Sequence, residues 1–252
     1  MAQVFHRSAN SIARASILGG VILVVGFFWG ALQLQRSAYF TYAGVARPQP
    51  VPFPHEHHWA GLGIDCRYCH TSVETSGYAG MPPTKTCMNC HSQIWTGAAM
   101  LAPVRESFRT GRSLVWTRTQ DLPDFAYFDH SIHINKGVGC DVCHGRLDQM
   151  PLMYNEASLQ MEWCIGCHRA PEKVLRPHWV KEDPKVPLSA LDQIFNVRYQ
   201  EPSSQHPVTI RVGDQYRTFT SQTGPDGLGT YLVQANHVRS PRDITSCSTC
   251  HR

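Results

Sequence analysis

Ten cysteines and five of the fourteen histidines fall into five copies of one pattern. The copies are Cys66-Arg67-Tyr68-Cys69-His70, Cys87-Met88-Asn89-Cys90-His91, Cys140-Asp141-Val142-Cys143-His144, Cys164-Ile165-Gly166-Cys167-His168 and Cys247-Ser248-Thr249-Cys250-His251. Two thiols one turn apart with an imidazole directly behind them are the attachment signature of c-type haem. The thiols form thioethers with the vinyl groups, and the imidazole binds iron from one face. Structural zinc needs two such pairs per tetrahedral site, so five pairs leave one over, and zinc does not require a histidine after the second cysteine. Disulfides explain the even count but not the histidines. From composition alone, a histidine after all five pairs arises roughly once in two million sequences. The reading is five covalently bound haem c groups.

Low-spin iron of this kind takes a second axial ligand, usually His or Met. Nine histidines lie outside the motifs, and His6 precedes the apolar segment described below. Two segments share one pattern, Phe53-Pro54-His55-Glu56-His57-His58 and Phe128-Asp129-His130-Ser131-Ile132-His133. Imidazoles three residues apart lie about one helical turn apart and can serve two different irons. His55, His58, His130 and His133 are therefore the expected distal ligands of four haems, and His57 reads as a surface residue. The fifth distal ligand is open. His237 precedes Cys247 by ten residues and leads on spacing, while His178, Met81, Met150, Met153 and Met161 compete. A thioether there would raise that haem's potential.

The elements that must position these groups follow from the same repeat. Each Phe-x-His-x-x-His segment precedes two motifs, 16 residues apart in the first unit and 19 in the second, with Met81-Pro82 and Met150-Pro151 in the intervening stretches. This is an internal duplication of a di-haem module, with units at 53–95 and 128–170. The connector 96–127 holds an expected short strand, Leu114-Val115-Trp116-Thr117-Arg118. Residues 171–236 carry no motif, and 237–252 form the fifth haem segment. Inside the insertion, Val208–Val212 and Tyr216–Thr220 alternate around Gly213-Asp214, which predicts a hairpin suited to docking or shielding rather than chemistry. A Gly-Pro-Asp-Gly turn at 224–227 follows. With roughly 40 residues per haem the chain is too thin for a conventional core, and its binding energy is folding energy. The fold class expected is a multihaem cytochrome c of loops and short helices wrapped around five haems, with a minor β-hairpin and one N-terminal transmembrane helix.

Residues 15–35 are uncharged and long enough to span a bilayer as one helix. Arg7 and Arg14 precede them and Arg36 follows, so residues 1–14 should be cytoplasmic and the rest exported. The run is too long for an ordinary signal-peptide core, despite weak cleavage chemistry at Gly44-Val45-Ala46. The expectation is a single-pass anchor at 15–36 in a bacterial inner membrane, with the haem domain on the periplasmic side. No cysteine before Cys66 allows a lipid anchor. Gly26 and Gly30 share a face that permits close helix packing, though glycine is common in membrane helices. Trp29, Tyr39, Phe40 and Tyr42 suit the outer interface. A Pro-rich tether at 37–52 should then be extended and stiff. The formal charge is +4, but each haem with two propionates adds about −1 oxidised or about −2 reduced. The holoprotein is then near −1 or near −6, and nothing points to nucleic acid.

The Phe-x-His-x-x-His and Cys-x-x-Cys-His arrangement resembles class III multihaem cytochromes c. Residues 81–91, 122–130 and 161–169, together with five motifs behind one anchor, resemble the pentahaem subunit of alternative complex III, a quinol:acceptor oxidoreductase. That resemblance covers most of residues 1–170 and the final motif. It implies membrane-embedded quinol-binding subunits, an iron–sulfur subunit, and a monohaem cytochrome c or another soluble periplasmic carrier as partners. It also implies electron relay with no substrate chemistry in this chain alone. Two rivals stand beside it. A multihaem reductase needs an open iron, and the pentahaem nitrite reductases use a Lys-ended motif, whereas all five motifs here end in His. A stand-alone quinol dehydrogenase of the single-anchor type begins its motifs almost at the membrane, whereas Cys66 lies about 30 residues beyond the apolar run.

Overall fold

The computed structural model describes residues 4–177, 194–212 and 214–251. Helix α1, Ala9–Arg36, runs for 28 residues with none buried, a rise of about 42 Å. Its most apolar stretch has a mean hydropathy of 2.2, and it is long and apolar enough to cross a membrane. Ser37 ends it by turning extended (ψ 161°), and its hydroxyl donates to the Leu34 carbonyl at 2.5 Å. A short helix α2, Ala38–Thr41, stops at Tyr42 in the left-handed region.

The root of α1 is fastened to the second module. Arg36 pairs with Glu162 at 2.7 Å, Gln160 Nε2 donates to the Gln35 carbonyl at 2.9 Å, and Asn155 Nδ2 to that of Thr41 at 3.2 Å. Ala43 and Ala46 form bridges with Asn155 and Tyr154. The Pro-rich stretch that follows is extended but pinned. Gln49 exchanges two hydrogen bonds with the Thr117 backbone, at 2.9 and 3.0 Å, and Thr117 Oγ1 donates to the Pro48 carbonyl at 2.8 Å. Val51 is buried with Leu101 and Val104, against Leu114 and Trp116. The strand expected at 114–118 is not formed. The segment is extended, but its partner is a glutamine side chain mimicking a peptide, so no ladder develops.

The rest is short helices joined by loops. Residues 56–61 form a π-helical turn. Then come α3 (Cys66–Cys69), α4 (Thr84–His91), α5 (Ala102–Thr110), α6 (His130–Asn135), α7 (Cys140–His144) and α8 (Met161–Arg169). The C-terminal third holds β1 (Val208–Val212), β2 (Gln215–Phe219), α9 (Leu228–Ala235), α10 (Pro241–Ile244) and α11 (Cys247–Cys250). Helix α6 starts where Asp129 accepts from the Ile132 N–H at 3.3 Å, as an N-cap aspartate does. Strands β1 and β2 pair antiparallel from Val208↔Phe219 to Val212↔Gln215, which is the expected hairpin, although Gly213 lies outside the described residues. The turn at 224–227 closes with Gly227 N–H on the Gly224 carbonyl at 3.1 Å.

The insertion has an apolar core of its own, Leu175, Ile210, Phe219, Leu228 and Leu232. It also reaches into the junction of the two modules. Ile194 and Phe195 are buried with Val73 and Ile134, against Cys66 and Cys140. Arg176 binds Asp141, inside the third motif, through both Nη atoms at 2.5 and 2.7 Å. Arg198 reaches Asp148 at 2.8 Å, and Arg146 holds the same carboxylate at 2.7 Å.

The Asp148 side chain is 1% exposed, and the Arg146 hydrogen bond holds its pKa down at about 2, against burial and with help from Arg198. A depressed carboxylate pKa stabilises the fold above the unfolded-state value of 3.8 and ceases to as pH falls through about 2. Asp148→Asn should therefore cost on the order of 1–2 kcal/mol at neutral pH, discounted for the half-exposed arginines. The difference from the parent protein should vanish between pH 4 and 2 in acid-unfolding curves. A difference that persists at pH 2 would refute the ion-pair account.

Candidate haem-binding site

Each Cys-x-x-Cys-His motif folds as a short helix or the end of one, which sets its two thiols one turn apart. All ten thiols are free. Burial pushes the thiols of Cys69, Cys87, Cys164 and Cys167 upward and that of Cys143 to about 12. Reactive or metal-binding cysteines need thiolates at neutral pH, and this environment disfavours them.

The two Phe-x-His-x-x-His segments have nearly superimposable side-chain geometry. Phe53 stacks on His58 (centroids 4.2 Å, 25° between planes) and meets His55 edge-on (4.9 Å, 85°). Phe128 stacks on His133 (4.5 Å, 24°) and meets His130 edge-on (4.8 Å, 88°). The later imidazole of each segment donates Nδ1–H to the carbonyl four residues back, His58 to Pro54 at 3.0 Å and His133 to Asp129 at 2.7 Å. The phenylalanine thus sets the tilt of both rings. Its repetition at a fixed offset from two histidines was the signal for that role, which the sequence reading left unassigned.

These histidines face motif histidines. Ring centroids of His58 and His91 are 6.4 Å apart, of His130 and His144 6.4 Å, and of His133 and His168 6.1 Å. The fourth pair, His55 and His70, are electrostatic neighbours. An imidazole nitrogen reaches a first-row metal at about 2.0–2.1 Å, and the ring centre lies about 1.1 Å behind it, so two rings on opposite faces of one iron have centres about 6.2–6.4 Å apart. The three measured separations fit a single iron between His58 and His91, between His130 and His144, and between His133 and His168. The outer nitrogens are engaged: His70 Nδ1 donates to Gly80 O (2.8 Å), His130 to Gly77 O (2.9 Å), His168 to Ile244 O (2.7 Å) and His91 to Ile94 O (3.3 Å). That fixes the tautomer and leaves Nε2 for metal.

Two rings differ. Among the described residues, the Nδ1 atoms of His55 and His144 are buried without a hydrogen-bond partner. Burial pushes both pKa values down to about 4, assisted by His70 and His58 for the former and by His130, His70 and His55 for the latter. The neutral form so favoured is the one that binds metal. Among the described residues no three His, Cys, Asp or Glu side chains converge on a bare ion, so the imidazoles come as facing pairs.

The fifth motif is less complete. His251 Nδ1 donates to the Phe125 carbonyl at 2.9 Å, with the Phe125 ring 5.9 Å away. His237 is exposed in a left-handed turn (φ 49°), its carbonyl 3.3 Å from Lys136 Nζ. The structure does not bring it into ring contact with His251 among the described residues. His178 lies outside them. Met150 is 1% exposed within the second module, whereas Met81 and Met161 are exposed and Met153 is half-buried. His57 is exposed and stacks on Trp95 (5.9 Å, 25°).

Paired thiols with facing imidazoles are the equipment of a multihaem c-type cytochrome. No family model matches the chain. Over 170 residues it is 28% identical to the menaquinone reductase multihaem cytochrome c subunit of Nitratidesulfovibrio vulgaris, spanning 59% of this chain and 78% of that protein. The likeness supports a multihaem cytochrome c family with covalently bound haem c.

Proposed function

We propose that this chain is a membrane-anchored pentahaem cytochrome c of alternative complex III type. In this reading it relays electrons between a quinol-oxidising membrane complex and a periplasmic carrier. The observation that carries the reading is the three imidazole pairs at single-iron spacing, behind a helix able to span a bilayer. The ten motif cysteines would hold five haems. His70, His91, His144, His168 and His251 would bind from one face, and His55, His58, His130 and His133 from the other. Bound haem would supply reversible one-electron exchange. The residues' own work is to keep both axial positions filled at the four paired motifs, which leaves no open site for substrate there, and to fix rings by a carbonyl or a phenylalanine.

The relative's name supports quinone-linked electron transfer in general, and it names a reductase. Facing imidazoles do not impose direction, which follows the potentials of the partners. The motifs at 81–91, 122–130 and 161–169 favour quinol oxidation, with quinol-binding, iron–sulfur and carrier subunits as partners. Detergent-solubilised membranes should yield the chain with polytopic and iron–sulfur partners on mass spectrometry. The complex should contain five haem c in this chain by haemochrome assay, reduced by added menaquinol. Isolation as a lone subunit, or reduction only from the carrier side, would overturn this assignment. A dominant high-spin haem with substrate turnover would move it to a multihaem reductase.

A further inference from the structure

The five motifs touch one another in an order that is not their order in the chain. The first and second meet through their interior residues, with Asn89 Nδ2 donating to the Tyr68 hydroxyl at 3.0 Å. His55 and His58, on adjoining positions of one turn, face these two motifs. The first meets the third: the Cys66 and Cys140 thiols are neighbours, and both pack on the cluster of Val73, Ile134, Ile194 and Phe195. The loop after the first motif is laced to α6 by Ser131 N–H on Ser76 O (3.2 Å) and Asn135 Nδ2 on Glu74 O (2.8 Å).

The third and fourth are bridged by α6, whose His130 and His133 face His144 and His168 respectively. The fourth meets the fifth where His168 Nδ1 donates to the carbonyl of Ile244, three residues before Cys247. Electrostatic neighbours among the thiols run the same way: Cys69 with Cys87 and Cys90, Cys143 with Cys167 and Cys164, and Cys164 with Cys250. The root of α1 is fastened at Glu162 and Gln160, at the start of the helix that carries the fourth motif.

We propose that the chain sets its five haem-attachment motifs in one unbranched row, ordered second, first, third, fourth, fifth, with the fourth held at the root of the membrane helix. The two modules are then joined head to head through their leading motifs, and the fifth extends the tail of the second module. The row's ends are the second and fifth motifs. This deepens the pentahaem reading and rests on it.

The test uses the assembled, membrane-extracted protein. Replacing a distal histidine by glycine makes its ferric iron a high-spin probe, and two such probes report adjacency by electron-spin dipolar coupling. The double variant His55→Gly/His130→Gly, on the first and third motifs, should show strongly coupled probes. The double variant His58→Gly/His130→Gly, on the second and third, should show coupling several-fold weaker. The reverse result, which a row in chain order requires, would overturn the proposal. If a glycine variant fails to assemble, the methionine series at the same positions keeps six ligands. There a raised potential should displace the apparent potentials of row neighbours only, and displacement of non-neighbours in row order would overturn it equally. Haem content is measured first. Fewer than five haems in the parent protein would count against the pentahaem reading, whereas five haems with the wrong coupling pattern would count against the order alone.

Discussion

Replacing His130 by glycine is expected to convert one ferric centre of the assembled protein from low-spin to high-spin and to leave the others unchanged. The His130 ring lies nearly parallel to that of His144, 14° between planes, with its outer nitrogen held by the Gly77 carbonyl and its plane perpendicular to the Phe128 ring. If His130 binds as proposed, removing it would empty one axial position without disturbing the thiols. His144 cannot compensate from the other side, since each iron face needs its own imidazole. The vacated space has the shape of the lost ring, so millimolar imidazole should restore the low-spin spectrum, as refilling a matched cavity does. Optical spectra and EPR read both steps. His133→Gly should do the same at the fourth motif. His57→Gly, which removes an exposed ring stacked on Trp95, should change neither. An unaltered spectrum in His130→Gly would show that another group binds that iron.

Gly229→Ala is expected to destabilise the insertion by about 2–3 kcal/mol, the upper part of the range for overpacking a filled site. A β-carbon there would collide with the backbone carbonyl of Glu172. That carbonyl is not free to retreat, because Gln222 Nε2 binds it at 2.9 Å and the Leu175 carbonyl at 2.8 Å, and Gln222 is only 6% exposed. Moving α9 outward instead would open the core of Leu175, Phe219, Leu228 and Leu232. Either response breaks a buried hydrogen bond or leaves a void, each worth roughly 1–3 kcal/mol. Gly97→Ala is the control, since nothing lies within 4 Å of its added carbon, and it should be neutral. Thermal unfolding followed by far-ultraviolet dichroism separates them. Equal melting temperatures for the two variants would mean that the helix can shift at no cost.

The local parts of this architecture were readable and the long-range parts were not. The motif helices, the 208–219 hairpin and the two histidine segments each announce themselves within a dozen residues, because thiol spacing, alternation and a repeated Phe-His offset are local properties. The 114–118 segment has a strand's composition but no ladder, since its partner is the single side chain of Gln49, about 68 residues away in sequence. The histidine turn of the first unit is π-helical while that of the second is α-helical. The first has Pro54 where the second has the capping Asp129. Arg176 and Arg198 carry no signal at all until the fold delivers them to Asp141 and Asp148, 35 and 50 residues away. The facing of His130 with His144 and of His133 with His168 likewise could be expected as a set but not assigned pair by pair from spacing.

Residues 37–52 would reach about 50 Å if left extended as a leash, yet they are laid along the body and bonded to it at Asn155, Tyr154, Thr117 and Arg118. A redox domain on a free leash works by swinging, and the leash length sets its search volume. This one is a post rather than a pendulum. Its height and bearing above α1 are fixed by its own hydrogen bonds, so any travel between donor and acceptor falls to whatever visits it.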